Sequence, residues 1–484
     1  MISKWKHRNQ GRIAVWLGGM VVFFVGSLGG LSLFATTLDG GAETEGANRS
    51  TARPEPSFID ATLDQFYQQR GITPAETCTD REFLRRVTLD LAGRIPTVEE
   101  LDAFLESPDR NRVIDRLLGE DAFNRSFAEV WTATLVGYAD DDLTDRDVLK
   151  QWLYQQLKQD VPYDEIARRL ITARGITTID GPTNFILAHR DNPVVKIGRA
   201  FLGVRLDCAQ CHDHPFDRWT QEDHEAMTRF FSNLDFQEVA GGLKLVEHPA
   251  DRDPESAPVF LTGARARTTQ WRSELAMFTT HCKPFARTFA NRIWYQLMGR
   301  GIVDPPDDFS SANPPVVPDL IEPLAEFVRD HQYSVRDLVR LICRSRAYQR
   351  SSSIRSESPE SAQQVAVFAI KPIKPMTVEQ YYDSLVVALD LRPSRQRRTE
   401  FIDATVGGDY REDFGETWKY RETIQTALYR LSFRPRSQVS DLESLFLKTL
   451  GRPPTSREQE LCRKKSATAI RFALIQSNEF FFNH

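Results

Sequence analysis

One short segment of the sequence, Cys208-Ala209-Gln210-Cys211-His212, has residue types and spacing that could do chemistry. Cys-x-x-Cys-His is the attachment signature of c-type haem. Two thiols separated by two residues can reach the two vinyl groups on one edge of the porphyrin, and the next residue then lies under the ring as an iron ligand. The segment therefore predicts haem c, with thioether bonds at Cys208 and Cys211 and with His212 as the proximal ligand.

The same residues leave two other interpretations open. Cys208 and Cys211 could hold zinc or iron together with His214 or His224, because thiolates at this separation can bind one tetrahedral ion. The two thiols could instead form a small disulfide turn if the segment reaches an oxidising compartment.

The segments on either side of the motif carry the candidates for the sixth iron ligand. Asn192-Pro193 predicts the start of a largely apolar helix that leads into Cys208. After the motif, Thr220-x-x-Asp223 predicts the start of a helix that carries His224 and Met227. Either His224 or Met227 could complete the iron coordination, whereas an open position would suit catalysis better than electron transfer.

The length and composition limit the class of protein. With 484 residues, 41% hydrophobic and 27% charged, the chain can form two or three domains with proper cores. The formal net charge of −5 gives no basic field, so we predict no nucleic-acid partner.

The N-terminus predicts a membrane anchor. Four basic side chains within the first twelve residues precede a stretch without charges from 13 to 38, which exceeds the roughly 20 residues that a transmembrane helix needs. The basic side stays in the cytoplasm, and no convincing cleavage site follows the stretch. We therefore predict a single-pass protein of the cell envelope, with a cytoplasmic N-terminus and its bulk exported to meet an envelope redox or protein partner.

The rest of the chain predicts a mainly α-helical fold, because apolar residues recur at helical spacing. After the basic tip and anchor at 1–38, we predict a flexible linker at 39–56 and a helical domain with the motif at 57–235. An irregular connector at 236–267 and a second helical domain at 268–484 complete this multi-helix, two-domain organisation with an N-terminal transmembrane anchor.

Several local signals define turns. Thr79-x-x-Glu82 and Thr97-x-x-Glu100 predict capped helix starts, and Gly93 predicts the end of the helix between them. The segment from Leu91 to Glu100 recurs from Leu450 to Glu458, which we interpret as one helix-turn-helix solution used twice, in preference to a duplicated module.

Other signals concern a hairpin and two polar clusters. Gly241-Gly242 suggests a hairpin turn within 236–246. Asp307-Asp308 is interpreted as a turn or cap pair, in preference to a metal or acid-base site. The polar residues of 287–294 are interpreted as a network at a helix end.

Two parts of the sequence resemble known families. The segment from Asn184 to Phe231, which contains "CAQCHDHPFD", is similar to the core of the secreted planctomycete cytochrome-c-like family labelled domain of unknown function 1549. The later segments "FARTFANRIWYQLMGRGIVDPPDDFSSANPP" and "LVRLICRSRAYQRSS" resemble its usual companion, domain of unknown function 1553. The resemblance implies an envelope or secreted protein that is commonly named a cytochrome but has no settled activity. One departure is His281-Cys282-Lys283, where such proteins usually have an Asn-Pro turn.

Together these observations predict a membrane-anchored, exported haem c-binding protein with a role in electron transfer or another redox reaction. The alternatives are an envelope scaffold or binding protein with a structural zinc or iron site at the same Cys and His residues, or a metal-dependent hydrolase. The sequence does not decide whether the protein is an enzyme.

Overall fold

Helices dominate the fold, as the spacing of apolar residues predicts. The computed structural model describes residues 57–138, 143–215, 217–251, 253, 255–354, 358–406, 433 and 441–484. The predicted anchor at 1–38 and linker at 39–56 lie outside these residues. No helix within the described ranges is both long enough and apolar enough to cross a membrane.

The first half of the described chain is built from ten helices. They are α1 (Ser57–Arg70), α2 (Asp80–Ala92), α3 (Val98–Glu106), α4 (Arg110–Gly119), α5 (Asp121–Val136), α6 (Arg146–Lys158), α7 (Tyr163–Ile171), α8 (Thr183–Ala188), α9 (Pro193–Ile197) and α10 (Gln221–Thr228). A π-helical turn, Gly198–Leu202, extends α9 towards the Cys-x-x-Cys-His motif.

The second half supplies twelve helices within the described residues. They are α11 (Trp271–His281), α12 (Lys283–Met298), α13 (Ile321–Asp330), α14 (Val335–Arg344), α15 (Arg346–Gln349), α16 (Pro359–Ala366), α17 (Val378–Ala388), α18 (Arg395–Val406), α19 (Leu442–Leu450), α20 (Ser456–Cys462), α21 (Ala467–Ile475) and α22 (Asn478–Phe481).

The predicted turn after α2 forms as expected and occurs a second time after α19. Gly93 ends α2 with φ +73°, and Thr97 and Glu100 form a complete capping box at the start of α3. Gly451 ends α19 with φ +72°, and Thr455 caps α20 in the same way. The second copy therefore reproduces the geometry of the first, which agrees with one helix-turn-helix solution used twice.

A small antiparallel sheet interrupts the helices. The strands β2 (Leu234–Val239) and β3 (Gly242–Glu247) form the predicted hairpin, and the short strand β1 (Gly175–Ile176) pairs with the other edge of β3. Gly241 adopts φ +83° in the turn, where a residue with a side chain would be strained. The sequence did not reveal β1, because two residues carry no alternation.

The hydrophobic core joins the two predicted domains. The main cluster of buried apolar residues runs from Ile59 to Ala369 and crosses the predicted connector at 236–267. Within it, the Tyr163 ring stacks on the Phe289 ring with 4.1 Å between centroids. A second cluster joins Leu89 and Ile95 to side chains from the last part of the chain. The two domains therefore bury their apolar faces against one another.

An internal ion pair accompanies the second core. Strand β4 (Lys374–Pro375) pairs with β5 (Phe482–Asn483), which brings Lys374 Nζ within 2.6 Å of Asp90 Oδ1 on α2. Asn483 Nδ2 donates to Asp90 Oδ1 at 2.7 Å, and the Tyr348 hydroxyl donates to Oδ2 at 2.7 Å. Both charged side chains are almost fully buried, with 7% of Lys374 and 0% of Asp90 exposed.

Candidate functional site

The Cys-x-x-Cys-His motif forms one exposed helical turn. Residues Cys208–Gln210 adopt a 3-10 turn, and the backbone N–H groups of Cys211 and His212 both donate to the Cys208 carbonyl at 3.3 Å. Ala209 is fully buried in the main core, whereas Cys208, Cys211 and His212 are exposed. The buried alanine fixes the turn to the protein and leaves both thiols and the imidazole at the surface.

The imidazole of His212 is oriented for ligation through Nε2. Its Nδ1 lies 2.7 Å from the carbonyl oxygen of Asp213. A carbonyl only accepts hydrogen bonds, so Nδ1 carries the proton and Nε2 keeps its lone pair. Histidine ligands of metals commonly donate their second N–H in this way. The exposed thiols and this imidazole therefore fit the attachment of a haem c.

The other predicted ligands are less exposed than the residues of the motif. His214 donates its backbone N–H to Trp219, at 2.8 Å from the carbonyl oxygen. His224 is buried, with Nε2 at 3.2 Å from Asn192 Nδ2, and this burial lowers its pKa. Met227 is fully buried in the main core.

Within the described residues, the side chains of the alternative zinc or iron site are not grouped around one point. In the part of the chain that the structure describes, no three His, Cys, Asp or Glu side chains are grouped so that they could hold a metal ion. Cys208 and Cys211 are both free thiols, so the disulfide turn is not formed either.

A cluster of charges lies immediately before the motif. Arg199 binds Asp207 at 2.8 Å and Asp307 at 3.1 Å, and Arg205 binds Asp307 at 2.8 Å. Burial acts to raise the pKa of Asp307, but the hydrogen bond from Arg205 and the charges of Arg205, Arg292 and Arg199 together hold this pKa below its usual value. The interpretation of Asp307 as a turn or cap residue was therefore incomplete, because its carboxylate joins two arginines of the first domain.

The helix-end network predicted in α12 forms in part, because Asn291 and Arg292 have hydrogen-bond partners, whereas the buried Trp294 Nε1 has none among the described residues. Asn291 accepts from the backbone N–H groups of Ile302 and Val303 at 2.8 and 3.1 Å. Arg292 donates to the Arg199 carbonyl at 2.9 Å. These residues hold the chain that surrounds the charge cluster.

A polar cleft of about 880 Å³, which the sequence did not indicate, lies between the two predicted domains. Its walls carry both acidic and basic side chains from α5, α6, α17, α18 and the turns beside them: Arg94, Arg125, Glu129, Asp145, Arg146, Asp147, Lys150, Asp383, Arg395, Arg398 and Asp403. No local motif marks it, because the contributing segments are more than 200 residues apart.

Glu129 is the most perturbed carboxyl group in this cleft. Arg398 binds Glu129 at 2.8 Å and Asp383 at 2.9 Å. Burial raises the pKa of Glu129 to about 7, although the charge of Arg398 opposes this effect. The cleft thus contains a carboxyl group that titrates near neutral pH.

Replacing Glu129 with glutamine should make the free energy of unfolding depend less on pH. Above about pH 4.5 the unfolded state loses the proton of Glu129, whereas the folded state keeps it until about pH 7. This group therefore stabilises the folded state at low pH, and its contribution is lost as the pH rises through about 7. Relative to the wild type, the variant should gain on the order of 2 kcal/mol in free energy of unfolding between pH 5 and pH 8. Urea unfolding at both pH values measures this, with Glu443→Gln as the control substitution. A constant difference between variant and wild type would contradict the assignment.

Comparisons with known proteins identify both halves of the chain. Residues 58–236 match the family model PSCyt2, described as a protein of unknown function (DUF1549). Residues 272–441 match the family model PSD1, described as a protein of unknown function (DUF1553). No curated protein and no solved structure matches the chain. The chain therefore carries a PSCyt2 region at residues 58–236, followed by a PSD1 region at residues 272–441.

Proposed function

We propose that this protein is an exported, membrane-anchored haem c protein that acts in electron transfer or another redox reaction. Cys208 and Cys211 provide the thioether sulfurs, and His212 is the proximal ligand. One observation carries the proposal: an exposed helical turn presents both thiols and an imidazole whose Nδ1 donates to a backbone carbonyl.

The chain contributes attachment and orientation at this site. A bound haem supplies the one-electron couple. The Asp213 carbonyl fixes the tautomer of His212, and buried Ala209 holds the turn against the core. Met227 and His224 remain predictions for the sixth ligand, and either would have to leave its present interior contacts to reach an iron at the surface.

Production with a haem c maturation system tests the proposal directly. The intact chain should gain the mass of one porphyrin, show a Soret band and retain haem staining after denaturation. The Cys208→Ala/Cys211→Ala double variant should lose all three signals, whereas Cys462→Ala, at the partly exposed end of α20, should keep them. His212→Ala should keep the added mass but change the Soret spectrum.

Two outcomes would contradict haem attachment. A chain of unmodified mass, produced where a known cytochrome c matures in the same cells, would refute haem attachment. A colourless protein with one zinc per chain would favour the envelope scaffold instead.

A further inference from the structure

We propose that residues 304–309 of the PSD1 region position the Cys-x-x-Cys-His turn of the PSCyt2 region, with Asp307 as the positioning residue. The inference deepens the proposed function and rests on it for the haem measurement below. It gives the companion region a role at a site to which it contributes no ligand.

The first support is a chain of ion pairs that ends at the motif. The Asp307 side chain is 3% exposed and divides its two oxygens between Arg205 and Arg199, at 2.8 and 3.1 Å. Arg199 continues to Asp207, at 2.8 Å, which directly precedes Cys208. Hydrogen bonds between charged groups with little exposure constrain direction as well as distance. The carboxylate of Asp307 therefore sets where the residue before the first thiol lies.

The second support is backbone packing at the other end of the same segment. The Phe309 N–H donates to the Gly203 carbonyl at 2.9 Å. Gly203 adopts φ +63°, and a Cβ atom there would lie 2.4 Å from the Phe309 ring. The 304–309 loop thus contacts the chain directly at Gly203 and Arg205 and reaches Asp207 through Arg199, so residues 203–207 are held just before the motif.

Arg205 provides a direct reporter of this arrangement. Its guanidinium is bound by Asp307, and the following residue, Leu206, is fully buried. Trypsin cleaves after arginine and needs an extended, accessible segment, so cleavage between Arg205 and Leu206 measures release of the loop. The measurement uses the haem-free full chain and does not depend on any activity.

The test compares Asp307→Asn with Asp308→Asn. Both remove one carboxylate from the same loop, but Asp308 lies 3.6 Å from Arg205 and is 23% exposed. We expect tryptic cleavage after Arg205 to become about tenfold faster in Asp307→Asn and to change less than about twofold in Asp308→Asn, because only the first variant removes a buried carboxylate that is hydrogen-bonded to a charged group. Asp307→Glu should restore part of the resistance. If Asp307→Asn does not fold, Asp207→Asn, which removes the ion pair between Arg199 and the residue before Cys208, serves as the test variant and should also speed cleavage. Equal rates in the Asp307 and Asp308 variants would overturn the inference.

The haem measurement separates this inference from the proposed function. After maturation, Asp307→Asn should carry haem on a severalfold smaller fraction of chains than Asp308→Asn does. If the wild type carries no haem, the proposed function fails, while the trypsin comparison still decides whether Asp307 positions the turn. If all variants carry haem equally and resist trypsin equally, the positioning role is wrong and haem attachment stands.

Discussion

Replacing Lys374 with methionine should lower the free energy of unfolding by about 3–5 kcal/mol, because it leaves the Asp90 carboxylate buried without its cation. The pair is 2.6 Å apart, and Asp90 has no exposed side-chain surface. The Tyr348 hydroxyl and the Asn483 amide still donate to Asp90 in the variant, but neither carries a positive charge. Methionine has nearly the same length as lysine, so the packing changes little.

Chemical denaturation followed by circular dichroism measures this loss. Arg125→Ala is the control, since its partner Asp121 and Arg125 itself are 44% and 61% exposed, and such pairs contribute at most about 1 kcal/mol. The Lys374→Met/Asp90→Asn double variant should recover part of the stability, because the buried charge is then gone. A single variant as stable as Arg125→Ala would show that the buried pair is not a stability determinant.

Replacing Gly203 with alanine should cost about 3 kcal/mol. The left-handed backbone penalises any residue with a Cβ by roughly 1–2 kcal/mol. The added methyl carbon would also lie 2.4 Å from a ring carbon of Phe309 and 2.9 Å from the Thr288 hydroxyl, so these side chains must shift at a cost of about 1–3 kcal/mol. The variant should also show faster tryptic cleavage after Arg205.

The protein contains a matched control for this substitution. Gly71 has the same φ of +63° but nothing within 4 Å of the position of a Cβ atom. Gly71→Ala should therefore lose only the backbone contribution, about 1–2 kcal/mol. Equal losses at the two glycines, measured by urea unfolding, would show that the loop does not press against Gly203.

The local features of the fold were predictable from sequence because their causes are local. The capping box of Thr97 and Glu100 and the proline-initiated helix at Asn192 each depend on residues within four positions of one another. The hairpin at Gly241 is likewise defined by its own turn. Thr79 caps α2 as predicted, but its box is incomplete, because Glu82 binds Arg86 and the Ser352 backbone instead.

The long-range features were not predictable. Nothing in the sequence near Asp307 indicates that Arg199 and Arg205, about a hundred residues earlier, share its carboxylate. The cleft around Glu129 was likewise not predictable, because it forms only where α5 and α18 lie close together in the fold. The motif residues were identified from spacing alone, whereas the interior positions of His224 and Met227 required the fold.

The hydrogen-bond partners of α2 lie in the second half of the chain, so the two halves depend on each other. Arg85 donates to the carbonyls of Thr449 and Phe480, and Arg86 donates to those of Tyr348 and Arg350. A fragment that stops after residue 236 keeps the Cys-x-x-Cys-His motif but loses these partners of α2, and it exposes the apolar surface that the second half covers. We therefore expect recombination that separates the two halves to yield an insoluble product, and we expect the two halves to be inherited together.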